Sequence, residues 1–268
     1  MGVAPQATEL LGIARDVARA AADLARAMRA EGVGGVSTKS TATDVVTAAD
    51  RAVERETIAA LRACRPHDAF LGEESGRVAG DGGVRWILDP IDGTVNYLYG
   101  IPLYAVSLAA EVDGVVVAGV VVNAATGDEW TATRGGGAYR EGRRLAGSRV
   151  TDLDQALLAT GFGYDAARRR HQAQVLARLL EHVRDVRRMG AAAIDLCMAA
   201  EGTVDMYYEK GLNIWDYAAG GLVATEAGLL VTGLSGAPAG PAFLMAAPPA
   251  LHKPLHDRLV ELDAAGGA

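Results

Sequence analysis

The pattern of apolar residues changes near residue 150, and this change constrains the fold more than any other feature of the sequence. Before it, two helical segments are followed by short strands with hairpin turns, of which Asp113-Gly114 is the clearest. After it, strand-like and helical segments alternate to the end of the chain, which is typical of an α/β arrangement with a parallel or mixed sheet. We therefore expect two packed halves, residues 1–150 and 151–268, the first α+β with an antiparallel sheet and the second α/β.

Periodicity places the individual elements. Apolar residues at helical spacing predict an amphipathic helix over residues 5–31, and a polar, hairpin-like connector leads to a second helix. Gly135–Gly137 is not followed by a helix and is interpreted as a hairpin turn rather than a phosphate loop. The other predicted helices are Ala48–Cys64, residues 165–184, Ala191–Ala200, Trp215–Ala227 and Pro249–Leu262. The predicted strands are Ala69–Leu71, Arg85–Leu88, Tyr104–Val122 (with its turn), Glu129–Thr133, Leu157–Thr160, Val204–Glu209, Leu229–Thr232 and Ala242–Ala246.

Composition excludes several classes of protein. Half of the residues are apolar, and 33 acidic against 26 basic residues give a net charge of −7, which argues against binding nucleic acid by bulk positive charge. No stretch is long and apolar enough to span a membrane, and no secretory signal is visible. Cys64 and Cys197 are the only cysteines, which argues against a disulfide scaffold or a thiolate zinc site and favours a cytoplasmic location.

The densest chemical signal is the segment Trp86–Tyr97, WILDPIDGTVNY. An apolar strand runs into Asp89, Pro90 is expected to end it, and Gly93 permits a tight turn into a helix. Two carboxylates three residues apart then lie at a strand end, beside backbone N–H groups of the kind that bind phosphate oxygens. The segment by itself leaves the alternative open that the aspartates only cap a helix and a turn.

Three further acidic clusters favour a functional interpretation. Gly72-Glu73-Glu74-Ser75 follows a strand, Asp216 opens a helix after Trp215, and Asp44 and Asp50 flank an apolar pair. Each cluster taken singly is more often a cap or a solvated charge. Together they offer only hard oxygen ligands, which point to Mg²⁺ or Mn²⁺ if any metal binds.

These segments resemble the signature motifs of the inositol monophosphatase family, the magnesium-dependent, lithium-sensitive sugar phosphatases. The resemblance rests on Asp89-Pro90-Ile91-Asp92-Gly93-Thr94, Gly72-Glu73-Glu74-Ser75 and Trp215-Asp216-Tyr217-Ala218-Ala219-Gly220, in family order along nearly the whole chain. Lys39, Asp44, Thr47, Asp50 and Glu209 also fit the pattern, and Gly161-Phe162-Gly163-Tyr164 and Arg187-Arg188-Met189-Gly190 resemble the bacterial, actinobacterial-type members. The resemblance implies the layered αβαβα sandwich of that family, with the active site between the halves.

The resemblance also implies roles for individual residues. Glu73, Asp89 and the Ile91 carbonyl are expected to hold one Mg²⁺, and Asp89, Asp92 and Asp216 a second, with a third, weaker ion on Glu73 and water. Thr94, oriented by Asp50, would help Glu73 to activate a water molecule, and the Gly93 and Thr94 N–H groups would bind phosphate. Asp92, the Ala192 backbone and Glu209 would contact the sugar hydroxyls. Four carboxylates balance the charge of two Mg²⁺ ions, so an acidic protein can accept an anionic substrate.

The expected reaction is hydrolysis of inositol-1-phosphate to myo-inositol and phosphate by metal-activated water, in a lithium-sensitive homodimer. Val95-Asn96-Tyr97 after Thr94 resembles the inositol-type members and disfavours a nucleotidase. Histidinol phosphate, fructose-1,6-bisphosphate and other sugar or cyclitol phosphates remain alternative substrates. The helix carrying Arg168-Arg169-Arg170 is interpreted as a solvated face, with contact to a second phosphate as the alternative. A non-catalytic accessory role in RNA synthesis is the less favoured alternative.

Overall fold

The computed structural model describes residues 3–39, 41 and 45–267, with side chains from residue 6 onward. Asp44 lies outside the described residues. Within that part of the chain the helices are α1 (Val3–Glu31), α2 (Ala48–Cys64), α3 (Thr94–Tyr99), α4 (Ala166–Leu179), α5 (Ala192–Glu201), α6 (Ile214–Glu226) and α7 (Pro249–Glu261). The strands are β1 (Ser37–Thr38), β2 (Val45–Val46), β3 (Ala69–Gly72), β4 (Gly76–Val78), β5 (Val84–Asp92), β6 (Ala105–Val112), β7 (Val115–Asn123), β8 (Glu129–Thr133), β9 (Gly137–Arg140), β10 (Arg143–Arg144), β11 (Leu157–Thr160), β12 (Asp185–Arg187), β13 (Met206–Glu209), β14 (Leu230–Thr232) and β15 (Leu244–Ala247).

Helices α1 and α2 form the outer layer on one face of the first sheet. The buried face of α1 is built largely from alanines, which let the helix approach β6, β7 and β8 closely. Helix α2 begins after Thr47, whose hydroxyl accepts hydrogen bonds from the N–H groups of Ala49 and Asp50 at 3.2 and 3.4 Å. The bounds predicted for α2 are confirmed, and the short β1–β2 pair confirms the hairpin-like connector before it.

The first sheet has the strand order β10-β9-β8-β7-β6-β5-β3-β4. Its neighbours are antiparallel except for β3 and β5, which are parallel, so the expectation of a wholly antiparallel sheet is wrong at this pair. The reason is topological: the chain turns back from β3 into the edge strand β4 and then re-enters on the other side of β3. The predicted hairpin turns at Asp113-Gly114 and Gly135–Gly137 are confirmed between β6 and β7 and between β8 and β9.

Strand β5 does not end at Pro90, which corrects the sequence-based expectation. The strand runs on to Asp92, and its pairing with β6 shifts register between Asp89 and Asp92. This irregularity accommodates a residue that has no N–H to donate to the ladder. The bulge keeps Asp89 and Asp92 on one continuous strand and ends it at Gly93, where α3 begins.

The second sheet is mixed, as predicted for the second half, with the order β12-β11-β13-β15-β14. Strand β11 is parallel to β12 and β13, whereas β15 is antiparallel to β13 and β14. Helices α5 and α6 lie between the two sheets, and α7 covers the outer face of the second sheet together with α4. The helix predicted over residues 165–184 ends earlier, because a short 3₁₀ turn at Leu180–His182 leads into β12, which the sequence analysis missed.

The layers therefore follow the predicted αβαβα order, and the fold class is confirmed. The middle layer depends on small residues: a Cβ on Gly220 of α6 would lie 3.0 Å from the Ala193 carbonyl oxygen of α5. One core cluster contains residues of both sheets, among them Ile87 and Tyr207. The division into residues 1–150 and 151–268 stays a prediction. In the described residues, no helix has the length and apolar character that crossing a membrane requires.

Candidate active site

Most of the predicted site residues line one cavity of about 510 Å³ between the two sheets. They come from the end of β3, from β5 and α3, from the start of α5 and from the β13–α6 connection. The predicted residues that line the cavity are Glu73, Asp89, Ile91, Asp92, Gly93, Thr94, Ala192, Glu209 and Asp216. Asp50, the remaining one, lies behind Thr94. We call the four carboxylates Glu73, Asp89, Asp92 and Asp216 the acidic floor.

Asp89 and Asp92 are held by backbone N–H groups. Asp89 is 2% exposed and its Oδ1 accepts a hydrogen bond from the Ile91 N–H at 3.1 Å. Asp92 accepts from the Ala192 and Ala193 N–H groups at 3.2 and 2.7 Å, so its carboxylate lies at the N-terminus of α5. Burial, followed by the charges of the neighbouring carboxylates, raises the pKa of Asp89 well above its usual value. Burial also raises the pKa of Asp92 to about 7, although the two N–H groups oppose the shift.

Asp216 enters the cavity from the first turn of α6. Its Oδ2 accepts a hydrogen bond from the Asn213 N–H at 2.6 Å, which fixes the side chain at the helix start. Burial raises the pKa of Asp216 well above its usual value, and the charges of Asp92 and Glu73 add to the shift. The cavity therefore concentrates negative charge in a buried place, which is costly unless a cation balances it.

Lys39 supplies one such cation. Its Nζ donates hydrogen bonds to Glu73 Oε1 at 2.8 Å and to Glu74 Oε1 at 2.5 Å. Burial is the largest single influence on the pKa of Lys39 and lowers it, but the charges and hydrogen bonds of Glu73 and Glu74 together outweigh burial, so the net shift is upward. The pKa of Glu73 is raised by burial, against the opposing effect of Lys39. This role of Lys39 was not predicted, because nothing in its local sequence ties it to the Glu73 turn.

The acidic floor offers donors that fit Mg²⁺. All four side chains supply hard oxygen ligands, and a single lysine leaves most of their charge unbalanced. As placed, the Asp, Glu, His and Cys side chains of the described residues nowhere form a group of three or more arranged to hold a metal ion. The described contacts explain this, since Glu73 is turned to Lys39 and both oxygens of Asp92 to backbone N–H groups. Metal binding would require these carboxylates to exchange partners.

Thr94 and Asp50 form a second, buried unit beside the floor. The Thr94 hydroxyl lies 3.1 Å from Asp50 Oδ1 and 3.1 Å from the Ile91 carbonyl oxygen, and it donates its single hydrogen to one of them. Asp50 also accepts from the Thr47 N–H at 2.8 Å and the Thr47 hydroxyl at 2.5 Å. Burial raises the pKa of Asp50, although these hydrogen bonds oppose the shift. Asp50 therefore caps α2 and orients Thr94 at once.

Gly93 begins α3 in a conformation that excludes other residues. Its φ is +90°, and a Cβ there would lie 3.0 Å from the Leu103 carbonyl oxygen and 3.1 Å from the Ala191 Cβ. Helix starts leave their first N–H groups without intrahelical partners, so those of Gly93 and Thr94 are suited to anion binding. The turn thereby brings backbone donors beside the carboxylates.

Glu209 lies in the part of the cavity formed by the second half of the chain. Its Oε2 accepts a hydrogen bond from the Tyr207 hydroxyl at 2.6 Å, and a Cβ on Gly161 would collide with the same oxygen. Burial raises the pKa of Glu209, with Tyr207 and Arg188 opposing the shift. Ala192 is present as expected, with its N–H engaged by Asp92.

Besides Lys39, three basic residues line the same cavity, and we call Arg168, Arg188 and Lys210 the cationic rim. The Arg168 side chain lies against Gly163 and Gly211. A Cβ on Gly163 would lie 2.8 Å from Arg168 Cδ, and a Cβ on Gly211 would lie 2.5 Å from Arg168 Nη1. Burial lowers the pKa of Lys210, and the charge of Arg168 lowers it further. Arg168 is thus part of the cavity, which corrects the interpretation of its helix as a purely solvated face.

Comparison with known proteins agrees with this architecture. The model of the inositol monophosphatase family matches residues 6–263. The chain is 48% identical over 241 residues to the inositol-1-monophosphatase of Mycobacterium leprae (83% of each chain), and 40% identical over 238 residues to the Nus factor SuhB of Pseudomonas aeruginosa (85% of this chain, 86% of that one). The solved structure of Mycobacterium tuberculosis SuhB superposes with a TM-score of 0.82 at 41% identity, covering 97% of this chain and 98% of that one.

A sandwich of this type with a carboxylate-lined cavity at its centre defines a phosphatase of the sugar phosphatase class, and the predicted enzyme class is confirmed. The chain belongs to the inositol monophosphatase family.

Proposed function

We propose that the protein is a Mg²⁺-dependent phosphate monoester hydrolase whose substrate is inositol-1-phosphate and whose products are myo-inositol and phosphate. The observation that carries the proposal is the position of the acidic floor, which lies beside the N-terminus of α3 and faces Glu209 across one cavity. Relatives at 46–48% identity that are named inositol-1-monophosphatase support the choice of substrate.

The acidic floor would hold the metal ions. Glu73, Asp89 and the Ile91 carbonyl suit one Mg²⁺, and Asp89, Asp92 and Asp216 suit a second, with a third, weaker ion near Glu73. When bound, the ions lower the pKa of water and neutralise charge on the phosphoryl oxygens, and Mn²⁺ is a chemically reasonable substitute. The raised pKa values of Asp89 and Asp216, caused first by burial, fit side chains that need a cation to stay ionised.

Thr94, Asp50 and Glu73 would handle the attacking water. The Thr94 hydroxyl donates towards Asp50 or the Ile91 carbonyl, so its oxygen is left to accept a hydrogen bond from the water and orient it. Glu73, half-buried at the floor, would take up one proton of this water as the water oxygen bonds to phosphorus. The bond from phosphorus to the sugar oxygen would break, and that oxygen would take a proton from solvent water to leave as an alcohol, while Glu73 returns its proton to solvent. The N–H groups of Gly93 and Thr94 hold the phosphoryl oxygens throughout.

Asp92, Ala192 and Glu209 would orient the polyol. They meet where α5, β5 and β13 approach one another, and Glu209 is fixed there by the Tyr207 hydroxyl. Carboxylates are strong acceptors for hydroxyl groups, so a polyhydroxylated ring fits this end of the cavity.

The cationic rim supports a second candidate, a sugar or cyclitol bisphosphate such as fructose-1,6-bisphosphate. A distal phosphate would be attracted by the positive charges of Lys210 and Arg168. The pKa of Lys210 is lowered first by burial and then by repulsion from Arg168, and an anion bound there would relieve that repulsion. The ammonium group of histidinol phosphate would be repelled by these charges if it lay at the cationic rim. For other pathway-specific sugar or cyclitol phosphates, the charge of the group opposite the scissile phosphate decides in the same way whether the cationic rim favours them.

A substrate panel tests the proposal. Purified protein is assayed for phosphate release from inositol-1-phosphate, fructose-1,6-bisphosphate and histidinol phosphate, with Mg²⁺, with Mn²⁺ and with EDTA. We expect Mg²⁺-dependent turnover with the highest kcat/KM on inositol-1-phosphate and inhibition by Li⁺. A tenfold preference for histidinol phosphate would contradict the substrate assignment, and activity that survives EDTA would contradict metal dependence.

We also propose a cytoplasmic homodimer. Tyr99 is 76% exposed and Ile101 44%, which leaves an apolar patch at the end of α3 for a second copy. Sedimentation of the purified protein tests the oligomeric state.

A relative named Nus factor SuhB keeps the accessory role in RNA synthesis as an alternative. A catalytically inactive variant that retains full biological function would favour that alternative.

A further inference from the structure

Glu54, on α2, is buried but lies outside the cavity. It is 3% exposed, and its carboxylate accepts hydrogen bonds from two consecutive backbone N–H groups. Glu74 N–H donates to Oε2 at 3.0 Å, and Ser75 N–H donates to Oε1 at 2.6 Å. Both oxygens are therefore committed to the turn that follows β3. Among the described residues Glu54 forms no ion pair, so these bonds are the main compensation for burying its charge.

The turn that Glu54 binds carries Glu73. Its other side is fixed to β5, because the Glu73 N–H donates to the Leu88 carbonyl at 3.2 Å, directly before Asp89. At the end of β3, a Cβ on Gly72 would lie 2.4 Å from Glu54 Oε2, so only glycine lets the carboxylate come this close. The turn is thus clamped between β5 and α2, with the Glu73 side chain directed into the cavity.

Asp50 lies one helical turn before Glu54 on the same face of α2. Asp50 bonds to Thr94, and Glu54 bonds to the turn of Glu73. Helix α2 therefore sets the positions of both Thr94 and Glu73, the two side chains that the proposed reaction places on either side of the attacking water. Neither carboxylate has to touch the substrate to do this.

We propose that Glu54 is a positioning residue, whose grip on the Glu73–Ser75 turn holds Glu73 close enough to Asp89 for the two to share a divalent cation. The inference rests on the proposed function, because it concerns the metal site of the same reaction. Outer partners that orient metal ligands typically change metal affinity about 10–100-fold when they are replaced.

The test is Glu54→Gln, which keeps the shape but turns one acceptor into an NH₂ group facing a backbone N–H. We expect the Mg²⁺ concentration for half-maximal activity to rise about 10-fold or more. At saturating Mg²⁺, kcat should stay within about 3-fold, since Glu54 does not touch the reacting atoms. Calorimetric titration with Mg²⁺ in the absence of substrate should show the same loss of affinity. Glu56→Gln is the matched control, because Glu56 is exposed on the same helix and, among the residues that the structure describes, forms an ion pair with Arg55 alone.

The inference is overturned if Glu54→Gln lowers thermal stability and kcat together while Mg²⁺ affinity is unchanged, since that describes a structural role. Should the variant not fold, Gly72→Ala decides, because its Cβ displaces the same carboxylate from the opposite side. Gly12→Ala, with open space around the new methyl group, is its control. Unaltered Mg²⁺ affinity in Gly72→Ala also overturns the inference. Failure of the proposed function would be seen instead in the wild-type protein, as absent Mg²⁺-dependent turnover.

Discussion

The two ends of the active-site cavity are held in place by different means. At the acidic floor, Asp89, Asp92 and Asp216 are each fixed by backbone N–H groups at a strand end or helix start. At the cationic rim, Arg188 and Lys210 project from loops of the second half, and Lys210 donates hydrogen bonds to the carbonyl oxygens of Gly266 and Gly267, more than 50 residues further along the sequence. The partners of Asp89 and Asp216 are close in the sequence, whereas Asp92 is held by the distant start of α5, so the floor is rigid and in large part encoded locally. The cationic rim consists of long side chains whose positions depend on segments distant in the sequence, so residues at the rim can change without disturbing the floor.

The floor should be the less tolerant region, and Asp89→Asn is the severest test. The substitution removes charge from the carboxylate whose pKa is raised, after burial, by the charges of all three others, and with it a ligand shared by two proposed metal ions. We expect kcat/KM to fall by at least about 10³-fold, which is about 4 kcal/mol of transition-state stabilisation. Initial rates of phosphate release at saturating Mg²⁺ measure it. Asp81→Asn, at an exposed loop position, is the control, and near-normal turnover of Asp89→Asn would refute the two-metal assignment.

Gly93→Ala tests the backbone part of the floor. The new Cβ meets the Leu103 carbonyl oxygen at 3.0 Å in a conformation that L-residues rarely adopt, so the phosphate-binding N–H groups must shift. We expect a loss of about 10²-fold in kcat, as for removal of an oxyanion donor. Gly114→Ala carries a similar positive φ but has open space around it, so it separates conformational strain from displacement of the site. Equal kinetics for the two variants would show that the close approach at Gly93 is unimportant.

Without bound metal, the negative charge of the acidic floor should make the stability of the folded protein depend on pH. The pKa of Asp92 is raised by burial to about 7 from an ordinary 3.8, so the metal-free folded protein binds more protons than the unfolded chain between about pH 4 and 7. Its free energy of unfolding therefore falls as pH rises through that range. We expect Mg²⁺ to raise the melting temperature by several degrees more at pH 8 than at pH 5, measured by differential scanning fluorimetry at constant ionic strength. An equal rise at both values would mean that the floor carries no excess charge.

The same contrast explains what the sequence can predict. The geometry of the Asp89–Thr94 motif can be predicted from its sequence, because a strand end, a glycine turn and a helix start are local features. Asp50 is likewise predictable as a helix-capping residue. Pro90 was misread because the bulge that accommodates it depends on the partner strand β6. Lys39 and Glu54 reach the Glu73 turn from 34 and 20 residues away, and Arg168 enters the cavity through packing against Gly163 and Gly211. Such contacts exist only once the chain is folded.

The rim should give the smallest effects, and these should depend on the substrate. Arg188→Ala removes a charge that faces Glu209 and lies over Gly190 at the cavity edge. If the rim receives a second anionic group, kcat/KM for fructose-1,6-bisphosphate should fall about 10-fold, the value of one exposed charge-assisted contact of about 1.4 kcal/mol. For inositol-1-phosphate it should change less than about 3-fold, because the floor and the Gly93 turn hold its only phosphate. Arg187→Ala is the control, since Arg187 is exposed and pairs with Asp185. A uniform loss on both substrates would place Arg188 with the polyol-binding groups, and the division between a rigid floor and a selective rim would then be wrong.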